Sequence, residues 1–284
     1  MNRVYACVDG SRTTEAVCSA AAWAAQRLGA PVTLLHVLDR FEHPQAPADF
    51  SGNIGLGSRE QLLEELAELD RRRGQLAREQ GRLLLEACRE RTQGAGAREV
   101  EPLQRHGELV DTLAELAGDI RLLILGQHGE DGDRLSRQVG THLENAVRTL
   151  HRPTLITLEQ FTAPERVLLA YDGSPTSRKA VERLAESPLL RALPIDLLTV
   201  GADTAVARAA LDEAEARLAR AGFETRSTLR AGEVVPVIDA YTCENGIGLL
   251  VMGAWGHSRI RQFLLGSTTT RLIQEARLPI LLLH

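Results

Sequence analysis

Lysine is nearly missing from this chain: of its 33 basic residues only Lys179 is a lysine, and it stands in Ser-Arg-Lys-Ala. That excludes a Walker-type phosphate loop, whose Gly-Lys-Ser/Thr needs an ammonium group at the phosphates. Cysteine is sparse too. Cys7, Cys18, Cys88 and Cys243 lie far apart with no Cys-x-x-Cys, so neither a zinc knuckle nor a thioredoxin-like redox pair is supported, and they read as small buried hydrophobes. The eight histidines form no His-x-x-x-His or His-Glu-x-x-His arrangement, and no Gly-x-Ser-x-Gly elbow is present, which argues against a zinc site and a serine hydrolase. No run approaches the roughly 18 to 20 apolar residues that cross a bilayer, and the first residues lack a signal-peptide apolar region. The expectation is a cytoplasmic protein without a membrane partner. A net charge of −5 gives no broad attraction to nucleic acid or to an anionic membrane.

What is present begins with size. The 284 residues, 44% hydrophobic and 25% charged, suit a globular protein of two domains. The chain also contains itself twice. Val8-Asp9-Gly10-Ser11 recurs as Tyr171-Asp172-Gly173-Ser174, at an offset of 163. Leu122-Leu-Ile-Leu-Gly126-Gln-His-Gly129 recurs as Leu249-Leu-Val-Met-Gly253-Ala-Trp-Gly256, and Arg152-Pro-Thr-Leu recurs as Leu278-Pro-Ile-Leu, at offsets of 127 and 126. The landmarks keep their order while the offset falls by 36, so the first copy carries about that many additional residues after its second strand.

Within each copy short apolar strands alternate with helices. In the first, a strand ends at Asp9, Ser11 can cap a helix bearing Val17, Ala21, Ala24 and Leu28 on one stripe, Gly29 stops it, and Val32 to Leu38 is a strand. In the second, a strand 167–171 precedes a Ser174-capped helix to about Ala192, strand 195–200, helix 205–221, strand 224–229 and strand 249–253. This alternation predicts an α/β fold of two tandem doubly wound domains with parallel sheets covered on both faces. Residues 1–159 form the first domain, with an insertion at about 40–97, and 160–284 the second, with a linker near Pro164. Inside the insertion, residues 40–57 read as loop and Ser58 to Gln61 as a capping box opening a helix. Its Leu62, Leu66, Leu69, Leu76, Leu83 and Ala87 make an apolar seam, expected to pack on its own domain or to meet a partner protein.

In open α/β sheets, ligands sit beyond the carboxyl ends of the strands. The Asp-Gly-Ser and Gly-x-x-Gly elements fall at such ends. In the second copy, Gly253-Ala-Trp-Gly256 is followed after nine residues by Gly266-Ser267 and a helix over 268–276. Glycines admit a close ligand, and free N–H groups at a helix start meet phosphate oxygens without a lysine. His257, Arg259 and Arg261 between them add positive or switchable charge.

Gly253-x2-Gly256-x9-Gly266-Ser267, the preceding Val251-Met252 strand, the closing Leu278-Pro-Ile-Leu-Leu-Leu strand and the leading Tyr171-Asp172-Gly173-Ser174 resemble the universal stress protein family, and the resemblance covers nearly the whole chain as a tandem pair. It implies a five-stranded fold of the adenine-nucleotide alpha hydrolase type in each half, and binding of ATP, with Mg2+, more than turnover. It places Asp172 beside the adenosine, Val200 at the adenine, Gly253 at the ribose, and Gly256, Gly266, Ser267 and Thr268 at the phosphates, with Gly173, Met252 and His257 also among the nucleotide-binding residues. No catalytic residue and no protein metal ligand is implied. It further implies an intramolecular pseudo-dimer through the last strands, leaves room for a homodimer of whole chains, and points to stress-response signalling through an unidentified protein partner.

The corresponding positions of the first copy are Asp9, Val37, Gly126, Gly129, Gly140 and Thr141. There, ten residues rather than nine separate the second glycine from the third, and the loop opens Glu130-Asp131-Gly132-Asp133. Even in water-like dielectric a carboxylate about 8 Å from one phosphate charge costs roughly 0.5 kcal/mol, so ATP is expected mainly in the C-terminal half. Two alternatives stand beside this: a slow ATP hydrolase or phosphotransferase using the same pocket, and a nucleotide-independent interaction module acting through the 58–90 helix.

Overall fold

The computed structural model of the chain describes residues 2–38, 56–128, 141–253 and 267–284. The first half runs β1 (Arg3–Cys7), α1 (Thr14–Leu28), β2 (Val32–Leu38), α2 (Leu56–Gly94), β3 (Val100–His106), α3 (Leu109–Leu116), β4 (Ile120–Gly126), α4 (Thr141–Leu150) and β5 (Thr154–Thr157). The second runs β6 (Val167–Ala170), α5 (Pro175–Glu186), a 3-10 turn (Pro188–Leu190), β7 (Ile195–Val200), α6 (Ala205–Arg220), β8 (Thr225–Arg230), α7 (Val234–Asn245), β9 (Leu249–Gly253), α8 (Ser267–Gln274) and β10 (Ile280–Leu283). Among the described residues no helix is long and apolar enough to cross a membrane.

The strands join in one sheet ordered β3-β2-β1-β4-β5-β10-β9-β6-β7-β8. All neighbours are parallel except β5 and β10, which are antiparallel. Each half is thus a five-stranded parallel sheet, and the halves meet through their last strands. In that seam Leu281 faces Leu155, its own counterpart in the repeat, which sets a pseudo-twofold axis there. Arg27 Nε donates to Leu189 O at 3.0 Å and Trp23 packs on Phe161 with centroids 5.6 Å apart, so the halves also touch outside the strands.

Alternation along the strands explains the two layers, because successive side chains leave opposite faces. Val4, Ala6, Leu122 and Ile124 point into a core shared with α1, α2, α5 and α6. Tyr5, Leu123, Leu125 and Leu168 point into the other, against α3, α4, α7 and α8. α1 buries nine residues, six of them alanines, and ends where Gly29 takes φ 58° and donates to Ala25 O. A buried charge sits on the second face: Asp196 Oδ1 accepts from Arg166 at 2.9 Å, and Oδ2 from Arg226 at 2.6 Å and Tyr241 Oη at 3.1 Å.

Four sequence expectations are corrected. Ser11 does not cap α1: the cap position is Thr13, with no side-chain bond, because the Ser11 hydroxyl is drawn to His128 O at 3.3 Å. α5 stops at Glu186 rather than near Ala192, since Pro188 cannot continue it and Ser187 instead accepts from Leu189 N at 3.3 Å to open the 3-10 turn. α2 begins at Leu56, ahead of the Ser58 to Gln61 box and inside the expected loop; residues 40–55 lie outside those described. Finally, the leucine seam does not pack on its own domain. α2 buries Gly81, Leu85, Cys88 and Thr92 instead, and leaves Leu69, Leu76, Leu83 and Ala87 exposed. Of the cysteines, Cys18 and Cys88 are buried, Cys7 is half-buried and Cys243 is exposed.

Candidate functional site

Topology puts a crevice at one place in each half. After β6 the chain winds through β7 and β8 on one side, and α7 then carries it to β9 on the other, so the winding direction reverses between β6 and β9. At such a switch point the flanking loops diverge and leave a ligand-sized opening beyond the strand ends. β1 and β4 form the same junction in the first half.

Asp172 and Gly253 stand at the carboxyl ends of those two strands. Asp172 Oδ1 accepts from Ser174 N at 3.0 Å, closing a turn in which Gly173 has φ 72°, a conformation costly for any residue with a Cβ. Desolvation would raise the Asp172 pKa, but hydrogen bonding from Ser174 and Ser177 outweighs it and holds the carboxyl below its ordinary value. It is ionised at neutral pH. Ser174 then caps α5, accepting from Ser177 N at 3.2 Å with Pro175 in the first helical position. Gly253 is required by what lies over it: a Cβ there would stand 3.1 Å from the carbonyl carbon and oxygen of Thr176 and 3.2 Å from its Cγ2. The glycine lets the first turn of α5 descend onto the end of β9, bringing the Asp172 turn and a helix N-terminus to the crevice.

Two more helix starts and strand ends complete this side. Ser267 and Thr268 occupy the first two positions of α8, whose leading N–H groups and positive dipole end belong to the same carboxyl edge, because α8 runs from there back to β10. Val200, half-buried, closes β7, and Met252, buried, precedes Gly253. Gly256, His257 and Gly266 lie outside the described residues.

The first half repeats the frame with different details. Asp9 Oδ1 accepts from Ser11 N at 3.0 Å, and Gly10 has φ 83°. Gly126 faces Thr13, whose Cβ would be 2.7 Å from an added Cβ, and Thr13 Oγ1 donates to His128 O at 3.0 Å. With the Ser11 bond, this fastens the start of α1 to the segment after β4. Val37 is half-buried near the end of β2, and Thr141 opens α4; Gly129 and Gly140 lie outside the described residues, as do Glu130, Asp131 and Asp133. His36, the counterpart of Thr199, meets the same acceptor in its own half: Nδ1 lies 2.8 Å from Val8 O, where Thr199 Oγ1 donates to Tyr171 O at 2.8 Å. The larger ring fits because α2 has Gly81 above it, where a Cβ would come within 2.6 Å of His36 Cδ2.

Sequence reasoning missed Thr13, Thr176 and Gly81. The first two were within reach, since both repeats read Asp-Gly-Ser-x-Thr and a threonine recurring at one place in a site-forming turn has a position to hold. Gly81 carried only the signal of a glycine inside a helix.

A tandem pair of doubly wound domains, each with an Asp-Gly-Ser turn and a strand-end glycine at its switch point, defines a class of α/β protein. The sequence profile of the Universal stress protein family matches residues 1–157 and again residues 164–284. A curated relative, Universal stress protein Slr1230 of Synechocystis sp., is 36% identical over 284 residues, covering 99% of both chains. The chain belongs to the universal stress protein family. Two solved structures share its fold: a universal stress protein from Archaeoglobus fulgidus, with TM-score 0.69, 17% identity and coverage of 99% of this chain and 96% of that one, and a putative one from Pseudomonas aeruginosa, with TM-score 0.61, 13% identity and coverage of 100% and 93%.

Proposed function

We infer that this protein binds ATP, with Mg2+ on the phosphates, mainly in residues 160–284, and that occupancy serves stress signalling in the cytoplasm through contacts with a protein partner. What supports the reading is an ionised Asp172 turn beside a close-packed Gly253 at one switch point, with α8 starting on the same carboxyl edge of the sheet. These groups suit the two ends of a nucleotide. An ionised carboxylate repels phosphate and accepts from sugar hydroxyls, whereas a hydroxyl-rich helix start does the reverse. Asp172 and Gly173 therefore take the adenosine, Val200 and Met252 the base and sugar edge, and Gly256, His257, Gly266, Ser267 and Thr268 the phosphates. In residues 1–159, Asp9, Val37, Gly126, Gly129, Gly140 and Thr141 form a weaker second site beside the acidic loop.

Binding rather than turnover is the proposed role, because Asp172 is assigned to the adenosine end and so stands away from a water attacking the phosphates. Ligand at a hundred times its dissociation constant stabilises the bound form by about 2.7 kcal/mol, enough to bias a closely balanced two-state equilibrium of the protein. Calorimetric titration with Mg2+ and ATP tests this: saturable binding lost in Gly256→Val supports it, and absence of binding overturns it. Steady phosphate release abolished by the same substitution would instead favour the slow hydrolase.

A further inference from the structure

One side chain of the first half reaches the cradle helix of the second. Gln127 follows Gly126 at the end of β4 and is buried. Its Nε2 donates across the seam to Ile273 O and lies 3.5 Å from Gln274 O. Those two carbonyls belong to the last turn of α8, where a helix has no N–H of its own to offer them, and a donor placed there also meets the negative end of the helix dipole. The amide is fixed from both sides. Gln127 N donates to Thr157 O at 2.8 Å, and one residue on, His128 O accepts from Thr13 Oγ1 and Ser11 Oγ.

α8 depends on such an anchor. Its eight residues, Ser-Thr-Thr-Thr-Arg-Leu-Ile-Gln, fall short of the roughly 12 to 15 that keep even an alanine-rich helix folded in water. Serine, the β-branched threonines and isoleucine weaken it further, and its exposed Arg271 to Glu275 pair at 2.9 Å returns little. Contacts from elsewhere must therefore hold it, and among its described side chains Leu272 and Ile273 are the buried ones. The equivalent helix of the first half is better supplied. α4 is two residues longer and buries Leu143, Ala146, Val147 and Leu150. The counterpart of Gln127 in the repeat is Ala254, which has no side-chain donor. The pseudo-twofold relation is thus broken at this point, in favour of α8.

We propose that Gln127 is a positioning residue for the nucleotide site of the second half. On the reading that α8 meets the phosphates, the first half grips the far end of this helix and so sets where its leading N–H groups, about 12 Å away along the axis, are presented to the ligand. The C-terminal site is then incomplete without the first half.

Hydrogen exchange and calorimetry on the full chain test this with Gln127→Glu, which keeps the shape and loses the donor, and Gln127→Met, which keeps the length. Without ligand, amides of residues 271–275 should exchange about tenfold faster or more, while those of α4 keep the wild-type rate, which separates loss of this anchor from a general loss of stability. ATP affinity should fall about tenfold and adenosine affinity stay within about twofold, because adenosine has no phosphate for α8 to meet. A wild type that binds neither ligand overturns the nucleotide reading on which this rests. Wild-type binding with ATP and adenosine weakened alike, or with α8 exchange unchanged in both variants, overturns the role of Gln127 alone.

Discussion

The close approach of α5 to Gly253 yields a sharp expectation. In Gly253→Ala the new Cβ would stand 3.1 Å from the Thr176 carbonyl atoms and 3.2 Å from Thr176 Cγ2, against the roughly 3.5 to 4.0 Å of an unstrained carbon contact. The obstructing atoms are mostly backbone, in the capped first turn of a helix, so the turn as a whole must shift. Overpacking of this kind costs about 1–3 kcal/mol, and replacing a glycine returns about 0.4–1 kcal/mol through the unfolded chain. The net loss is about 1–2 kcal/mol for alanine and more for valine, which at ~2–4 °C per kcal/mol is a fall of several degrees in the thermal midpoint. Gly126→Ala should cost more, since Thr13 Cβ would lie at 2.7 Å and is fixed by the bond to His128 O. Differential scanning calorimetry of the three variants measures the order, and ATP titration of Gly253→Val should show affinity reduced about tenfold or more. A midpoint for Gly253→Ala equal to or above wild type, with unchanged ATP affinity, would refute the argument that helix contact demands this glycine.

Asp196→Ala leaves Arg166 and Arg226 without their shared carboxylate and should destabilise the second half by about 3 kcal/mol, the low end for a broken buried pair because both arginines reach solvent; urea unfolding measures it, and a loss below 1 kcal/mol would contradict it. Burial, with His151 and Lys179 nearby, lowers the His284 pKa from 6.5 to about 4. The unfolded chain therefore takes up a proton first, so stability is full above pH 6.5 and falls as pH drops toward 4, by up to about 3 kcal/mol. His284→Gln should flatten that stretch of the stability-against-pH curve, and an unchanged slope would count against it. Asp172→Ala, which removes the ionised acceptor from the crevice, should weaken ATP binding about ten- to a hundredfold by calorimetry; unaltered affinity would remove Asp172 from the site.

Much of the fold was legible because burial on both faces makes parallel strands unbroken apolar runs, such as Leu122 to Leu125, and those runs recur in order. The candidate positions followed from the same recurrence, since Asp9 and Asp172 come two residues after equivalent strands, and Gly126 and Gly253 close equivalent ones. What escaped was decided by contacts distant in sequence. Ser11 had the chemistry of a helix cap, but the carbonyl of His128, 117 residues on, competed for its hydroxyl. The early start of α2 escaped because few core contacts hold its first half. There the sequence supplies leucine, alanine, glutamate and arginine, and local pairs such as Glu68 with Arg71 at 3.0 Å and Arg72 at 3.1 Å favour the helix weakly. The apolar seam was seen, but its side of the helix was set by Gly81 sitting over His36, a contact no spacing rule announces.

The central claim is that a helix-start cradle without an ammonium group holds a nucleotide in the C-terminal half. Its most direct measurement is the adenine nucleotide carried or bound per chain, counted after denaturing protein saturated with Mg2+ and ATP and freed of excess ligand. The account predicts a value near one that Gly256→Val abolishes. A value of zero, or a value near one that survives this change and disappears with Gly129→Val, would contradict it.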